Sequence, residues 1–317
     1  MNINRRSFIQ ASSAALAAMS FPMTSLARGK DRNLQKNELC FFSKHLQYLD
    51  FREMSEILAR TGFDGIDLTV RRGGHVEPAT VEKDLPKAIK AAESAGLPIP
   101  MMTTGITDPE DENTHRVLKT AGELGVKYYR MGSLKYDLSV DMDKNIDNFK
   151  SLFKKFESLN REYGIHGDYQ NHWGGGFGAA IWDLYSVLKG LDPAWIGCQY
   201  DIRHAVVEGG GGSWVLGMKT IAPYIATSDI KDFLWSHESG NWLPQSVPLG
   251  TGMVDFKKYF EEFKKMENAC PMSLHYEYGM GQLKSREDQN LSNDEMIEFF
   301  KGDLDELKTL LIIAGMR

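Results

Sequence analysis

Tyr169-Gln170-Asn171-His172, Tyr200-Asp201-Ile202-Arg203-His204, Ser228-Asp229-Ile230-Lys231-Asp232 and His275-Tyr276-Glu277-Tyr278 are the stretches that decide the fold. Each follows or ends a short apolar or alternating run, where a β-strand should stop. Polar groups gathered at the C-terminal strand ends of a βα repeat mark the working face of a (β/α)8 barrel. Gln170, Asp201, Asp229 and Glu277 would together make an oxygen-rich cage for one hard divalent cation.

The rest of the chain agrees with that frame. Strand-like runs begin near Glu38, Gly65, Pro98, Lys127, Gly164, Trp195, Tyr224 and Pro271, with helical periodicity between them. Alternating strands and helices joined by short loops predict βα units and a parallel sheet. Phe51 to Thr61 puts Met54, Ile57 and Leu58 on one helix face, and Asn145 to Tyr163 does the same with Ile146, Phe149, Leu152, Phe153 and Phe156. A last helix runs from about Asn293 to Ala314, behind the polar start Ser292-Asn293-Asp294-Glu295. Eight strands with their helices predict an α/β fold, a TIM barrel spanning residues 38–317 as a single domain. The 317 residues, 42% hydrophobic, suffice for it, and no linker divides them. An open doubly wound sheet is the alternative, but no glycine-rich phosphate loop follows the first strand. Two long loops fall on the cage end: the run Gly209 to Gly212 before Ser213-Trp214, and Trp235 to Pro248, which holds His237 and Trp242. Loops of this length serve as lids or binding walls, or are surface insertions.

The N-terminus reads as an export signal. Asn4-Arg5-Arg6-Ser7-Phe8-Ile9-Gln10 is a twin-arginine signature, followed by an Ala-rich apolar stretch from Ala11 to Phe21 and small residues at Ser25-Leu26-Ala27. Residues 1–27 are thus expected to be a signal peptide, 28–37 an extension, and the mature protein periplasmic. The apolar run is too short to span a bilayer. Lys and Arg number 37 against 43 Asp and Glu, a net −6; losing Arg5 and Arg6 makes it 35 against 43, or −8. That balance, with no basic cluster, argues against a nucleic-acid partner. Cys40, Cys198 and Cys270 read as small buried residues. A Cys40–Cys270 disulfide stays open, because first and last strands adjoin in a closed barrel.

Asp-x-x-His at Asp201 and His204, Ile230-Lys231-Asp232 and the late Glu277, in this strand order, resemble the xylose-isomerase-like TIM barrels. That family includes sugar isomerases, ketose 3-epimerases, inosose dehydratases and apurinic endonucleases. Within it the chain is similar to exported proteins of the sugar phosphate isomerase/epimerase type. The resemblance implies a metal held by residues on strands five to eight, which become Gln170, Asp201, Asp229 and Glu277, with Mn²⁺ or Mg²⁺ as the cofactor. Two positions depart from it: Gln170 stands where a Glu would be both ligand and base, and Asp229 where a His would bind. A Gln carbonyl can coordinate a metal but cannot take a proton. Family members often dimerise, which leaves a homo-oligomer open.

The chemistry so implied is enolisation of a carbohydrate next to its carbonyl, giving isomerisation or epimerisation, or, with loss of a β-substituent, lyase or hydratase chemistry. Sugar phosphates are disfavoured, since no phosphate-binding loop is evident. Glu277, His172, His75 and Lys231 are the candidate acid–base groups. His172 lies two residues beyond Gln170 and Lys231 two beyond Asp229, so each pair shares a strand face. His204, Arg130, Lys44 with His45, and Trp214 are candidate substrate contacts. Each has a bland alternative: a rim salt bridge for Lys231, a structural histidine for His204, core filling for the tryptophan. His115, His166 and His237 have no supporting neighbours. A non-catalytic sugar-binding barrel is the rival class; a metal-cluster nuclease would need more histidines than the eight present.

Overall fold

The computed structural model describes residues 37–238, 240–267, 269–285 and 291–317. The expected signal peptide and residues 28–36 of the extension lie outside the described residues. Strands begin within three residues of every position read from the sequence. They are β1 (Leu39–Phe42), β2 (Gly65–Val70), β3 (Met101–Thr104), β4 (Tyr128–Arg130), β5 (His166–Gln170), β6 (Ile196–Asp201), β7 (Ile225–Ile230) and β10 (Met272–Leu274). All neighbours pair in parallel, and β1 closes the ring by pairing with both β2 and β10. A closed parallel ring of eight excludes the open sheet.

Helices α1 (Phe51–Thr61), α2 (Val81–Ser94), α3 (Glu112–Glu123), α4 (Met142–Tyr163) and α5 (Ile181–Leu188) follow the first five strands. Their ends are written locally. Asp50 accepts the Glu53 N–H to start α1, and Gly62, at φ 94°, ends it in the left-handed conformation that glycine adopts without strain. Behind β6 come α6 (Ile202–Gly209) and α7 (Ser213–Ile221), behind the later strands α8 (Phe256–Lys265) and α9 (Asn293–Ile313). Ser292 and Glu295 form a capping box at the start of α9. Among the described residues no helix is long and apolar enough to cross a membrane.

Outward-facing residues of each strand meet these helices. Phe41 and Tyr276 stack and meet Phe300 of α9 edge-on at 4.8 and 4.9 Å. Tyr200 stacks on Tyr259 of α8, whose hydroxyl pairs with Ser228 at 2.7 Å. All three cysteines are free, buried thiols.

Both long loops have structure of their own. The four glycines form no open loop: Gly209 ends α6 and Gly212 precedes α7, and a Cβ on Gly209 would lie 2.5 Å from the Trp214 nitrogen. Strands β8 (Asp232–Ser236) and β9 (Leu243–Val247) pair with each other antiparallel. Asp232 pins the base of this pair by accepting the N–H groups of Phe233, Gly250, Gly252 and Val254 at 2.8–3.1 Å. Asp232→Ala would leave these four donors, two of them buried, without their acceptor. It is expected to lower unfolding stability by on the order of 3 kcal/mol in urea denaturation. A loss under about 1 kcal/mol would contradict that role.

Candidate active site

Period-two alternation along the strands turns a column of polar residues into the barrel. Asp168 and Gln170 of β5, Gln199 and Asp201 of β6, Thr227 and Asp229 of β7, and Ser273, His275 and Glu277 along and beyond β10 all face inward. Cross-barrel hydrogen bonds show it: Thr227 donates to Asp168 (2.7 Å), Gln199 to Asp229 (2.6 Å), and Thr103 and Ser273 to Asp67 of β2 (3.0 and 2.8 Å). Barrels of this kind are usually filled by branched aliphatic residues. Here the upper interior is hydrogen-bonded and charged. Gly197 makes room low in the barrel, where a Cβ would come within 3.0 Å of the paired His166 and Asp168 side chains.

The rim is organised around Lys231. Its ammonium lies 3.1 Å from Asp201 Oδ2 and 3.4 Å from Glu277 Oε2, and its side chain is only 3% exposed. Burial works against this charge, but Asp201, Glu277 and Asp229 outweigh it and raise the lysine above its ordinary pKa. In return the Lys231 ammonium holds Glu277 well below the usual carboxylate range. Lys44 stands 3.6 Å from the other Glu277 oxygen. Gln170 donates its amide N–H groups to Asp201 (2.9 Å) and Asp229 (2.5 Å), while Arg130 donates to its carbonyl oxygen (3.1 Å). A guanidinium has no acceptor, so Arg130 fixes which end of the amide faces the carboxylates.

Two histidines complete the mouth. His204 Nδ1 faces the Arg203 guanidinium at 3.1 Å and so accepts, which leaves the proton on Nε2, 3.2 Å from Asp201 Oδ2. The His172 ring lies 4.2 Å from that of His204, centroid to centroid. His172 Nδ1 donates to the Trp173 carbonyl at 2.9 Å, so its Nε2 carries a lone pair, and no described group bonds to it. Burial lowers the His172 pKa below the ordinary histidine value. The imidazole is therefore neutral at pH 7, with its basic nitrogen open to the pocket.

As arranged, the four residues expected to cage a metal do not offer it four oxygens. Gln170 presents nitrogen, the Lys231 ammonium stands between Asp201 and Glu277, and the three carboxylates do not converge. Among the described residues, the one group of His, Cys, Asp and Glu with ligand atoms within 4.8 Å of one another is Asp67, Asp229 and His275.

The other expected residues fall in three places. Arg130 belongs to the rim, with its guanidinium 5.4 Å over the Phe42 ring. His75 is tied into the loops by Thr69, Ser43 and the Leu46 carbonyl at 3.1–3.2 Å, with burial lowering its pKa to about 4. His45 likewise bonds Gly281 and Tyr276 through both nitrogens (2.7 and 2.9 Å). Neither is brought to the rim carboxylates. Trp214 is buried in α7 and lines a separate cavity of about 180 Å³ with Tyr200, Ala205 and Glu208, which none of Asp201, Asp229 and Glu277 lines. His166 is not isolated, since its Nε2 is 3.0 Å from Asp168. Gln199, Arg203, His275 and Asp67 are the residues missed. Three of them lie one alternation below a residue already singled out, or directly beside it, so carrying the period two inward would have found them.

The sequence pattern of the xylose isomerase-like TIM barrels matches residues 55–301. The chain belongs to that family. No curated protein matches it significantly in sequence. Solved structures share the fold at low identity. A D-allulose 3-epimerase from Methylomonas sp. is 15% identical, with TM-score 0.64 over 87% of this chain and 98% of that one. The 3-keto-D-glucoside 4-epimerase YcjR from E. coli is 13% identical, with TM-score 0.62 over 86% and 100%. A probable 3-DHS dehydratase, AsbF, from Bacillus anthracis is 12% identical, with TM-score 0.61 over 86% and 98%.

Proposed function

We propose that this protein isomerises or epimerises a keto-sugar or keto-glycoside by moving a proton at the carbon next to the carbonyl. The observation that carries the reading is a neutral base beside a buried ammonium: the His172 ring lies 4.2 Å from that of His204, whose Nε2 is 3.2 Å from the Asp201 oxygen that Lys231 approaches at 3.1 Å. Neighbours described as sugar epimerases and a probable 3-DHS dehydratase support the substrate class by analogy of fold.

Lys231 has three N–H donors, and the protein engages two of them, with Asp201 and Glu277. The third is left for the substrate carbonyl oxygen, where negative charge develops on proton removal. His172 Nε2 takes the proton from the adjacent carbon and returns it to the neighbouring carbon, or to the other face once the enolate has turned over in the site. Glu277, already bound by two lysines, is a weak base and serves to hold Lys231. Gln170 cannot exchange protons and holds Asp201 and Asp229 apart. A substrate with a leaving group one carbon further on would lose it from the same enolate, which is the lyase outcome.

The pH profile tests the base. His172 must be neutral to act, so activity falls as pH drops through its pKa, below 6.5, and is flat above it. The acid limb of kcat/KM, with products identified by ¹³C NMR across a panel of keto-sugars and keto-glycosides, is expected below pH 6.5 and should vanish in His172→Ala. A limb that survives in that variant would assign the base elsewhere.

A further inference from the structure

Arg71 is a charged group at the mouth that the proton transfer does not use. It follows β2, four residues beyond Asp67, so the period of two turns its side chain inward. The loop behind it closes tightly: Gly74 donates its N–H to the Arg71 carbonyl at 2.8 Å, and a Cβ on Gly74 would lie 2.9 Å from that oxygen. The Arg71 guanidinium lies over the Phe42 ring, 5.8 Å from its centre, and that of Arg130 lies over the same ring at 5.4 Å. A ring face attracts each cation but has no net charge to cancel either. Among the described residues the Arg71 side chain makes no hydrogen bond or ion pair, and Arg130 makes one hydrogen bond, to the neutral Gln170 carbonyl. The two repel: after burial, Arg130 is the next cause that lowers the Arg71 pKa. Between them, at the end of β3, Thr104 is followed by the exposed Gly105, where a Cβ would meet only Arg71, at 3.9 Å.

We infer that Arg71 and Arg130 form a carboxylate subsite over the end of β3, and that the substrate is an acidic keto-sugar. The inference rests on the reading of this pocket as a keto-sugar site and names the class of sugar. Guanidinium groups stay charged and present paired N–H donors that match the two oxygens of a carboxylate. A carboxylate between the two arginines offsets their repulsion and occupies donors that the protein leaves open. A single negative charge suits the place better than a phosphate dianion. Arg130 is within electrostatic reach of the buried Asp67 and Asp229 carboxyls, which would repel the second charge. The ring order puts β3 directly across the barrel from β7, which leads into Lys231. An acid group over β3 and a carbonyl at Lys231 therefore lie on opposite sides of the mouth, as they do in a six-carbon sugar acid.

The test is isothermal titration calorimetry with 5-keto-D-gluconate, D-glucuronate and D-galacturonate, each against its neutral counterpart, D-fructose, D-glucose and D-galactose. An acid is expected to bind about 10- to 100-fold more tightly than its counterpart. Arg71→Met should abolish that preference and His172→Ala should keep it. The preference in the unaltered protein needs no variant to fold, and urea unfolding checks that Arg71→Met does. Equal binding of acid and neutral sugar, no acid bound, or a preference undiminished in Arg71→Met would each overturn the inference. Binding is read without turnover, so the two readings fail separately. Acid preference without proton exchange would keep the subsite and remove the mechanism, whereas deuterium uptake by a neutral keto-sugar with no acid preference would do the reverse.

Discussion

Lys231→Met lowers kcat/KM by about 10³, mostly through kcat. On the proposed mechanism the ammonium is the donor to the developing oxyanion, and loss of such a donor typically costs about 10²–10³ in rate. The extra loss comes from what it leaves behind. Asp201 is buried and Glu277 partly so; Lys231→Met leaves Asp201 with the Gln170 amide and His204, and Glu277 with Lys44, the ammonium between the two carboxylates removed. Breaking a buried pair in this way costs about 3–5 kcal/mol of stability. The variant should therefore unfold at lower urea but still fold, given a core of this size. Steady-state kinetics with urea unfolding checks both parts. A variant with unchanged kcat would reduce Lys231 to a structural counter-ion.

His172→Ala lowers kcat/KM by about 10²–10⁴, the range of general acid–base catalysis. Here stability should barely move. His172 is only partly buried and, among the described residues, makes a single side-chain hydrogen bond, to the Trp173 carbonyl. Free imidazole added to the variant should restore part of the activity by entering the space vacated, which no structural role of His172 would allow. Absence of rescue, together with a loss of under about tenfold, would remove His172 from the chemistry.

Much of this was readable in the sequence because a barrel strand is short and its C-terminal end is chemically conspicuous. Gln170, Asp201, Asp229 and Lys231 meet as the strand-end pattern implies, since parallel pairing in register brings adjacent strand ends to one height. Asp201 is opposite Asp229 in the β6–β7 register. What the sequence hid was direction. Whether Gln170 offers oxygen or nitrogen depends on Arg130, forty residues earlier and a strand away. Whether Glu277 is a base depends on Lys231 and Lys44, which reach it from different strands. Asp67 and Gln199 sit inside strands and His275 just past the end of one, below the conspicuous strand-end residues. Trp214 was misplaced by the glycines before it, which read as a loop but make a junction between two helices.

The most direct measurement of the central claim is deuterium entry from D₂O into the carbon next to the carbonyl, followed by NMR, across keto-sugars and keto-glycosides. The account predicts that the active substrate takes up deuterium at that carbon with the unaltered protein, and that uptake falls by about 10²-fold or more in His172→Ala and in Lys231→Met. Binding of a sugar with no deuterium uptake at any position, or uptake unchanged in both variants, would contradict it and leave the barrel a carbohydrate-binding protein or an enzyme of different chemistry.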